Sequence, residues 1–196
     1  MSVLKRLNVP VFKAGGMISV DPSEYTLASI GMVKEEKRFT WKELEGLPRT
    51  TVNARLTSVS GWSVRADWDG ILWRDFLNTI AVEPAASHVV FVSINEGYRT
   101  TVSLTDLDHP RVLMATGVRG EPLETEYGGP LRMVIPHLYG YKSCKWLGTI
   151  QFTDHVVTGY WEARGYTESG IIEPGFTLDV NTNNRREIPG GEVTDF

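Results

Sequence analysis

Short alternating runs of apolar and polar residues occupy the first half of the chain. Residues 25–33 (YTLASIGMV) alternate in this way, and residues 50–59 are rich in β-branched side chains, so each segment predicts a β-strand. Between them, Thr40 followed by Glu43 is a capping-box pattern, which predicts a short helix that ends before Pro48.

Further along the chain, one helical pattern is followed by several strand patterns. Residues 73–80 (WRDFLNTI) have apolar side chains at helical spacing and predict a helix. Residues 88–94 and 98–104 flank Asn95-Glu96-Gly97, which predicts a β-hairpin with a positive φ at Gly97. Further strands are predicted over residues 112–116, 131–135 and 145–152. Because strands outnumber helices and do not alternate with them, we expect an α+β fold of mixed β-sheets with short helices.

The chain has the length of one large domain. It has 196 residues, with neither an internal repeat nor a low-complexity linker, so we expect a single domain over residues 1–196. Residues 1–22 are predicted to form an irregular arm, and the core is expected over about residues 25–166. Residues 167–196 are polar and poor in apolar side chains after Phe176, which predicts a tail that wraps over the domain without adding to its core.

Charge and composition exclude several classes of function. The formal net charge of −4 gives no electrostatic basis for a nucleic-acid partner. No apolar run has the roughly 18 residues needed for a membrane helix. The first residues lack the apolar core of a signal peptide, so a cytoplasmic protein is expected. Cys144 is the single cysteine, which excludes an intrachain disulfide and a cysteine-based zinc site.

Residues 128–150 (GGPLRMVIPHLYGYKSCKWLGTI) carry the most informative chemistry. A Gly-Gly-Pro turn precedes an apolar strand and a loop rich in cations. Arg132, Lys142 and Lys145 supply positive charge and Ser143 a hydroxyl, a set that suits an anion with a flat, hydrogen-bonding body.

This block and six others resemble the molybdopterin-binding domain of the sulfite oxidase family, in its short single-domain bacterial form. The resemblance covers roughly residues 25–161, and the other blocks occur in the family's order: the strand with Gly31, TSVSGWSV (residues 57–64), WDGILWRDFL (residues 68–77), the hairpin around Gly97-Tyr98, and LMATGVRGEPL (residues 113–123); GYWEARGY (residues 159–166) follows the block.

The resemblance implies a cofactor and its binding residues. In this family a molybdenum ion is held by the dithiolene of one pyranopterin. The family's phosphate- and pterin-binding positions correspond to Arg132, Ser143, Cys144 and Lys145, with further candidates in the same block or near the metal: Lys142, His137 and Ser93. Tyr127 stands where relatives often have a cofactor-contacting His or Asn. Trp62 is expected to wall the substrate pocket, and Arg65 to steer an anionic substrate toward the metal.

The chain departs from the family at the metal ligand. Relatives bind molybdenum through a cysteine three residues before the Gly-Trp of the turn, and Ser58 occupies that position here. A serine hydroxyl is a harder ligand than a thiolate and is much harder to deprotonate. Three interpretations stay open: Ser58 is a native alkoxide ligand or unligated residue in a working enzyme, an engineered substitution, or the mark of a protein that binds the pterin without redox chemistry.

The resemblance predicts a molybdopterin-dependent oxidoreductase that performs two-electron redox or oxo transfer on a small substrate. The metal would be the redox centre, and electrons would pass to or from an external partner. The alternative is a redox-inactive module that binds molybdopterin, or the pterin without metal, for sensing or scaffolding. A retained fold with an empty pocket is a third possibility.

Overall fold

The computed structural model describes residues 2–194. These residues form two mixed β-sheets with short helices at their edges. The strands are β1 (Thr26–Gly31), β2 (Lys37–Thr40), β3 (Thr50–Thr57), β4 (Trp62–Leu72), β5 (His88–Ser93), β6 (Arg99–Ser103), β7 (Leu113–Val118), β8 (Glu121–Pro122), β9 (Arg132–Val134), β10 (Leu147–Thr153), β11 (Gly175–Asp179) and β12 (Asn184–Ile188). The α-helices are α1 (Val3–Arg6), α2 (Trp41–Glu45), α3 (Trp73–Leu77) and α4 (Leu104–Leu107).

The first sheet has the strand order β2-β1-β10-β5-β6. Strand β1 runs parallel to β10 with Ala28 opposite Thr149, and the other pairs are antiparallel. Its apolar face packs on α3 through the aromatic rings of Trp73, Phe91 and Phe152. The loop that precedes β10 is hydrogen-bonded to both sheets: the Cys144 carbonyl accepts from the Met133 N–H of β9, and the Trp146 carbonyl accepts from the Ile94 N–H next to β5, each at 2.8 Å.

The second sheet is built around the 11-residue strand β4. Its order is β12-β11-β4-β7-β8, with β3 also paired to β4 and β9 to β7. A bulge at Asp69/Gly70 lets β4 pass close to β7, where a Cβ on Gly70 would lie 2.1 Å from the Met114 carbonyl oxygen. Glycine is therefore required at this crossing.

The structure confirms the predicted fold class and most predicted elements. The capping box at Thr40 and Glu43 is present, and α2 follows it directly. The hairpin of β5 and β6 also forms, but the prediction of a positive φ at Gly97 is wrong, since Glu96 has a φ of 58° instead. Gly97 serves a close approach: a Cβ there would lie 2.1 Å from the Gly15 carbonyl oxygen.

The C-terminal residues do more than wrap over the domain. Strands β11 and β12 form a hairpin that extends the second sheet, with Leu178 of β11 opposite Trp62 of β4. Ile172, Ile188 and Val193 form a small buried cluster of their own. Among residues 2–194, no helix has the length and apolar character needed to span a lipid bilayer.

Candidate functional site

A cavity of about 170 Å³ lies where loops of both sheets meet the N-terminal arm. None of the described side chains that line it is acidic, and most are aromatic, small or cationic. The lining residues are Val9, Pro10, Phe12, Ala14, Leu56, Ser58, Val59, Ser60, Trp62, Tyr98, Tyr127, Arg132, Gly140, Tyr141, Ser143, Lys145, Trp146, Trp161 and Tyr166. The cavity thus combines fixed positive charge with flat apolar surfaces.

Arg132 of β9 supplies one of the two cations and is only 4% exposed. Its guanidinium donates to three backbone carbonyls, those of Tyr127 at 2.8 Å, Met133 at 3.2 Å and Ser143 at 3.4 Å. It also lies 5.6 Å from the ring centre of Trp68. No carboxylate in the described chain pairs with this guanidinium. A buried cation held only by neutral groups is poised to receive an anion.

Lys145 supplies the second cation from the loop before β10. Its Nζ donates to the carbonyl oxygens of Phe12 at 2.6 Å and Glu126 at 2.8 Å, and lies 4.4 Å from the Trp146 ring centre. An ammonium has three N–H donors, so one of them is left for a ligand in the cavity. As with Arg132, no carboxylate of residues 2–194 forms an ion pair with Lys145.

Burial makes both cations less basic than usual. Desolvation lowers the pKa of Arg132 to about 10. Desolvation, together with the nearby positive charge of Arg132, lowers the pKa of Lys145 to about 7. A bound anion would favour the charged form of each side chain and so reverse both shifts.

The turn between β3 and β4 forms another wall. The N–H of Ser58 donates to the Trp62 carbonyl at 2.7 Å, and Gly61, with a φ of 90°, closes the turn by donating to the Ser58 carbonyl. The hydroxyls of Ser58 and Ser60 are 2.8 Å apart. The buried Nε1 of Trp62 has no partner in the described chain. The turn therefore offers two hydroxyls and one unused N–H donor.

Ser58 is the one predicted metal residue, and it does line the cavity. Nowhere in residues 2–194 are three or more His, Cys, Asp or Glu side chains grouped so that they could hold a metal ion. None of the described residues that line the cavity is His, Cys, Asp or Glu, and Ser58 offers a hydroxyl oxygen at the position expected for the metal ligand.

Four aromatic residues form the wall that the sequence analysis did not predict. Tyr141 meets Tyr166 edge-on at 5.1 Å, and Tyr166 stacks on Trp161 at 5.0 Å. The hydroxyl of Tyr98 donates to the Tyr141 carbonyl, which fixes the loop against β6. Flat π surfaces of this kind suit a planar ring system. The dense aromatics of residues 159–166 were the available sequence signal.

Tyr127 and Ser143, both predicted cofactor residues, also line the cavity. The hydroxyl of Tyr127 donates to the Val9 carbonyl at 3.2 Å, and burial raises the pKa of this phenol, so it stays neutral. The Ser143 hydroxyl accepts a bond from the Ile135 N–H at 3.0 Å. Both side chains thus shape the loops around Arg132.

Five predicted site residues lie outside the lining, and the side chains of two of them form hydrogen bonds elsewhere. Arg65 donates its guanidinium to the Thr194 carbonyl, on the C-terminal segment. The Ser93 hydroxyl donates to Asn95 at 2.9 Å and stabilises the β5–β6 turn. The structure thus does not bring either residue to the cavity.

Of the other three, Lys142 and Cys144 are buried in the core and His137 is partly buried, and none of them lines the cavity. Lys142 is fully buried and forms an ion pair with Glu162 at 2.6 Å. Cys144 belongs to the apolar core, and burial raises the pKa of its thiol to about 12, so no thiolate is available. His137 stacks on His109 with ring centres 4.5 Å apart, and burial lowers its pKa.

Comparison with known proteins identifies the family. The chain belongs to the oxidoreductase molybdopterin-binding domain family, whose model matches residues 14–161. It is 36% identical over 152 residues to the uncharacterized oxidoreductase YuiH of Bacillus subtilis, covering 76% of each chain. The predicted resemblance to the sulfite oxidase family is confirmed.

Other relatives are longer proteins. The chain is 32% identical to the catalytic subunit of a protein-methionine-sulfoxide reductase of Xanthomonas campestris, over 66% of this chain and 44% of that protein. It is 27% identical to the sulfite oxidase of Arabidopsis thaliana, over 83% of this chain and 50% of that protein. The fold matches the crystal structure of the sulfane dehydrogenase SoxCD of Paracoccus pantotrophus with a TM-score of 0.70 and 20% sequence identity. The match covers 90% of this chain and 47% of the SoxCD chain. The chain thus spans about half the length of these three proteins.

Proposed function

We propose that the cavity binds molybdopterin and that the protein catalyses two-electron redox or oxo transfer on a small substrate. The observation that carries the proposal is the pair of cations formed by the buried Arg132 and the partly buried Lys145, which share one cavity and form no ion pair with a carboxylate of the described chain. The phosphate of a planar cofactor would neutralise the two cations, and its ring would pack against the aromatic side chains that line the cavity.

The residues present fit such a cofactor. Arg132 and Lys145 would hold its phosphate, and the rings of Tyr141, Trp161 and Tyr166 offer flat surfaces to the pterin. The buried Nε1 of Trp62 has no partner in the described chain, so this N–H donor is free to bond a ligand. The hydroxyl of Ser58 is the group that the chain presents at the family's metal-ligand position.

The chain and the cofactor divide the chemistry between them. A bound molybdopterin supplies a metal centre that exchanges two electrons and an oxygen atom with a substrate. The chain's residues hold the cofactor's charge, pack against its ring and exclude water from the cavity. Burial keeps Tyr127 protonated, so it can donate a hydrogen bond but does not act as a base near neutral pH.

The relatives narrow the substrate class. By name, one relative acts on sulfite and another on a methionine sulfoxide, both oxidised sulfur compounds. We therefore propose a small substrate with an oxidised sulfur atom, and an external protein that exchanges the electrons. A cytoplasmic location stays a prediction.

Metal and pterin analysis of the purified protein tests the proposal. The protein should be made in a host that synthesises molybdopterin, and its oxidised-pterin fluorescence should be read after denaturation. Molybdenum and pterin in near-equal amounts support the proposal. Pterin without molybdenum would instead favour the redox-inactive module, and the absence of both would mean an empty cavity.

Two variants sharpen this test. Lys145→Ala should abolish pterin retention, because it removes one of the two cations that line the cavity. Ser58→Cys should retain the pterin and leave turnover of a sulfoxide or sulfite substrate unchanged or modestly higher. If Ser58→Cys alone creates activity, the natural chain is a binding module and the oxidoreductase proposal fails.

A further inference from the structure

The N-terminal arm closes one side of the cavity. Residues 9–16, here called the strap, contribute Val9, Pro10, Phe12 and Ala14 to its lining. Most of the strap precedes residue 14, where the match to the family model begins. This wall of the cavity is therefore supplied by chain that the family's domain model does not include.

The strap is held to the rest of the molecule by side chains. Three of its carbonyl groups accept hydrogen bonds from side chains. The Val9 carbonyl accepts from Tyr127 at 3.2 Å, the Phe12 carbonyl from Lys145 at 2.6 Å, and the Gly15 carbonyl from Asn95 at 2.8 Å. The Phe12 ring lies parallel to Trp62, within 6°, with 6.1 Å between their centres. No strand pairing joins residues 9–16 to either sheet in the described chain. Val9 is anchored in the apolar core of the second sheet, whereas residues 10–16 are held by a few hydrogen bonds and partly exposed side chains, so these residues can open without unfolding of the domain.

One tether is made by a group that also faces the ligand. Lys145 donates to the strap through Phe12 and has a third N–H for an anion in the cavity. An anion beside Lys145 favours its ammonium form, and a charged donor holds a carbonyl more strongly than a neutral amine does. Anion and strap are thus coupled through a single side chain.

We propose that residues 9–16 are a strap that opens to admit the anionic ligand and closes more firmly over it once Arg132 and Lys145 are occupied. Coupling of this kind is reciprocal, so a strap that closes better on the bound anion also raises the affinity for that anion by the same factor. The identity of the natural anion rests on the proposed function, whereas the coupling does not.

Trypsin cleavage after Lys13 measures the opening of the strap, because Lys13 is exposed and lies at its centre. The full chain should be made in a host that lacks molybdopterin and digested with and without sodium pyrophosphate. We expect saturating pyrophosphate to slow cleavage of the Lys13–Ala14 bond, identified by peptide mass, about 5-fold or more. The protection should vanish in Arg132→Met.

A matched pair of variants separates the strap from general destabilisation. Phe12→Ala removes the ring that stacks on Trp62 and should speed cleavage and weaken pyrophosphate binding by a similar factor. Val11→Ala trims an exposed neighbour that does not line the cavity, and should change neither. Calorimetry gives the pyrophosphate affinity of each protein.

The proposal is overturned if pyrophosphate binds without changing cleavage after Lys13, which would make the strap a fixed wall, or if pyrophosphate does not bind at all. Protein made in a molybdopterin-producing host separates this outcome from the proposed function. If the protein carries no pterin but pyrophosphate still slows cleavage after Lys13, the proposal of a molybdopterin cofactor fails and the proposal of a closing strap stands. A pterin-loaded chain that is cleaved as fast as the empty one refutes the strap alone.

Discussion

Arg132 and Lys145 face the same cavity but respond differently to pH. Arg132 has a pKa of about 10 and keeps its charge near neutrality, whereas Lys145 has a pKa of about 7 and is only partly charged there. Retaining two desolvated cations without a carboxylate partner costs free energy in the empty protein. A ligand that brings negative charge offsets this cost, which is why the residues point to function more than to stability.

The planar guanidinium of Arg132, with its several N–H donors, should matter for anion binding as well as its charge. Arg132→Lys keeps a cation but cannot donate to the carbonyls of Tyr127, Met133 and Ser143 while also facing a ligand. We expect the affinity for sulfate, measured by calorimetry, to fall about 10-fold or more. The exposed Arg38→Lys is the control and should bind sulfate like the natural chain. Equal affinities in both variants would place the anion elsewhere.

Anion binding should weaken as the pH rises through the pKa of Lys145. Sulfate suits this test because it does not titrate between pH 6 and 8.5, and Arg132 stays charged over that window. At constant ionic strength we expect sulfate to bind up to about 30-fold more weakly at pH 8.5 than at pH 6, as the ammonium is lost. Lys145→Met should bind weakly at both pH values. A pH-dependent affinity that persists in Lys145→Met would exclude Lys145 as its cause.

The sequence predicted some members of the site because one motif contains them. Arg132, Ser143 and Lys145 lie within fourteen residues, and their approach depends on local turns as well as on sheet pairing. Lys142 and Cys144 lie on either side of Ser143 in the same loop, but their side chains are buried in the core. The amino-acid composition of the loop does not distinguish these buried residues from those that line the cavity. No local pattern indicates that Phe12 reaches the cavity, because its contacts there are with residues far away in the chain.

At the scale of elements, a buried ion pair joins the two segments that carry the aromatic wall. Lys142 follows Tyr141, and its partner Glu162 follows Trp161. Glu162 also accepts a hydrogen bond from Thr100 at 2.6 Å, which ties both segments to β6. The pair therefore positions the wall without touching the cavity itself.

Breaking this pair should destabilise the fold strongly. Lys142→Met leaves the Glu162 carboxylate buried without its cation, which we expect to lower the free energy of unfolding by about 3–5 kcal/mol in urea denaturation. The double variant Lys142→Met/Glu162→Leu should recover much of that loss, since no charge is stranded. Lys42→Met, at an exposed position, should change stability by less than about 0.5 kcal/mol. A double variant no more stable than the single one would show that packing, and not charge, dominates.

Elements with local signals were predictable, and those that depend on distant partners were not. The caps of α2 and the turn between β5 and β6 are encoded by adjacent residues. Strand β4 was not predicted as one long strand because its partly exposed positions carry charges, including Arg65, Asp67 and Asp69. The charged side chains of β4 bond to residues of β3 and of neighbouring loops. No local sequence pattern reveals these partners.

At the scale of the whole molecule, the C-terminal hairpin is joined to the sheet that shapes the cavity. Asp179 of β11 is 1% exposed and forms an ion pair with the buried Arg55 of β3 at 3.2 Å. Its register places Leu178 opposite Trp62, the residue that walls the cavity. We infer that the hairpin unfolds together with the second sheet and supports the site from behind.

Asp179→Asn tests this linkage. The variant removes the carboxylate that pairs with Arg55, and we expect the free energy of unfolding at pH 7 to fall by about 3 kcal/mol. Sulfate affinity should fall with it if the hairpin holds Trp62 in place. Glu187→Gln on the exposed side of β12 is the control and should behave like the natural chain.

The pH dependence of stability gives the same test a second readout. Burial raises the pKa of Asp179, but hydrogen bonds and the charge of Arg55 outweigh burial, and the net pKa is lowered below 3.8. A carboxylate with a lowered folded-state pKa contributes stability that is present above its unfolded pKa and is lost as the pH falls through the folded one. Urea unfolding at pH 7 and at about pH 3 should therefore show a smaller acid-induced loss in Asp179→Asn than in the natural chain. Equal losses would mean that the carboxylate of Asp179 contributes nothing to the acid sensitivity of the fold, and that the hairpin is held by its backbone pairing with β4 alone.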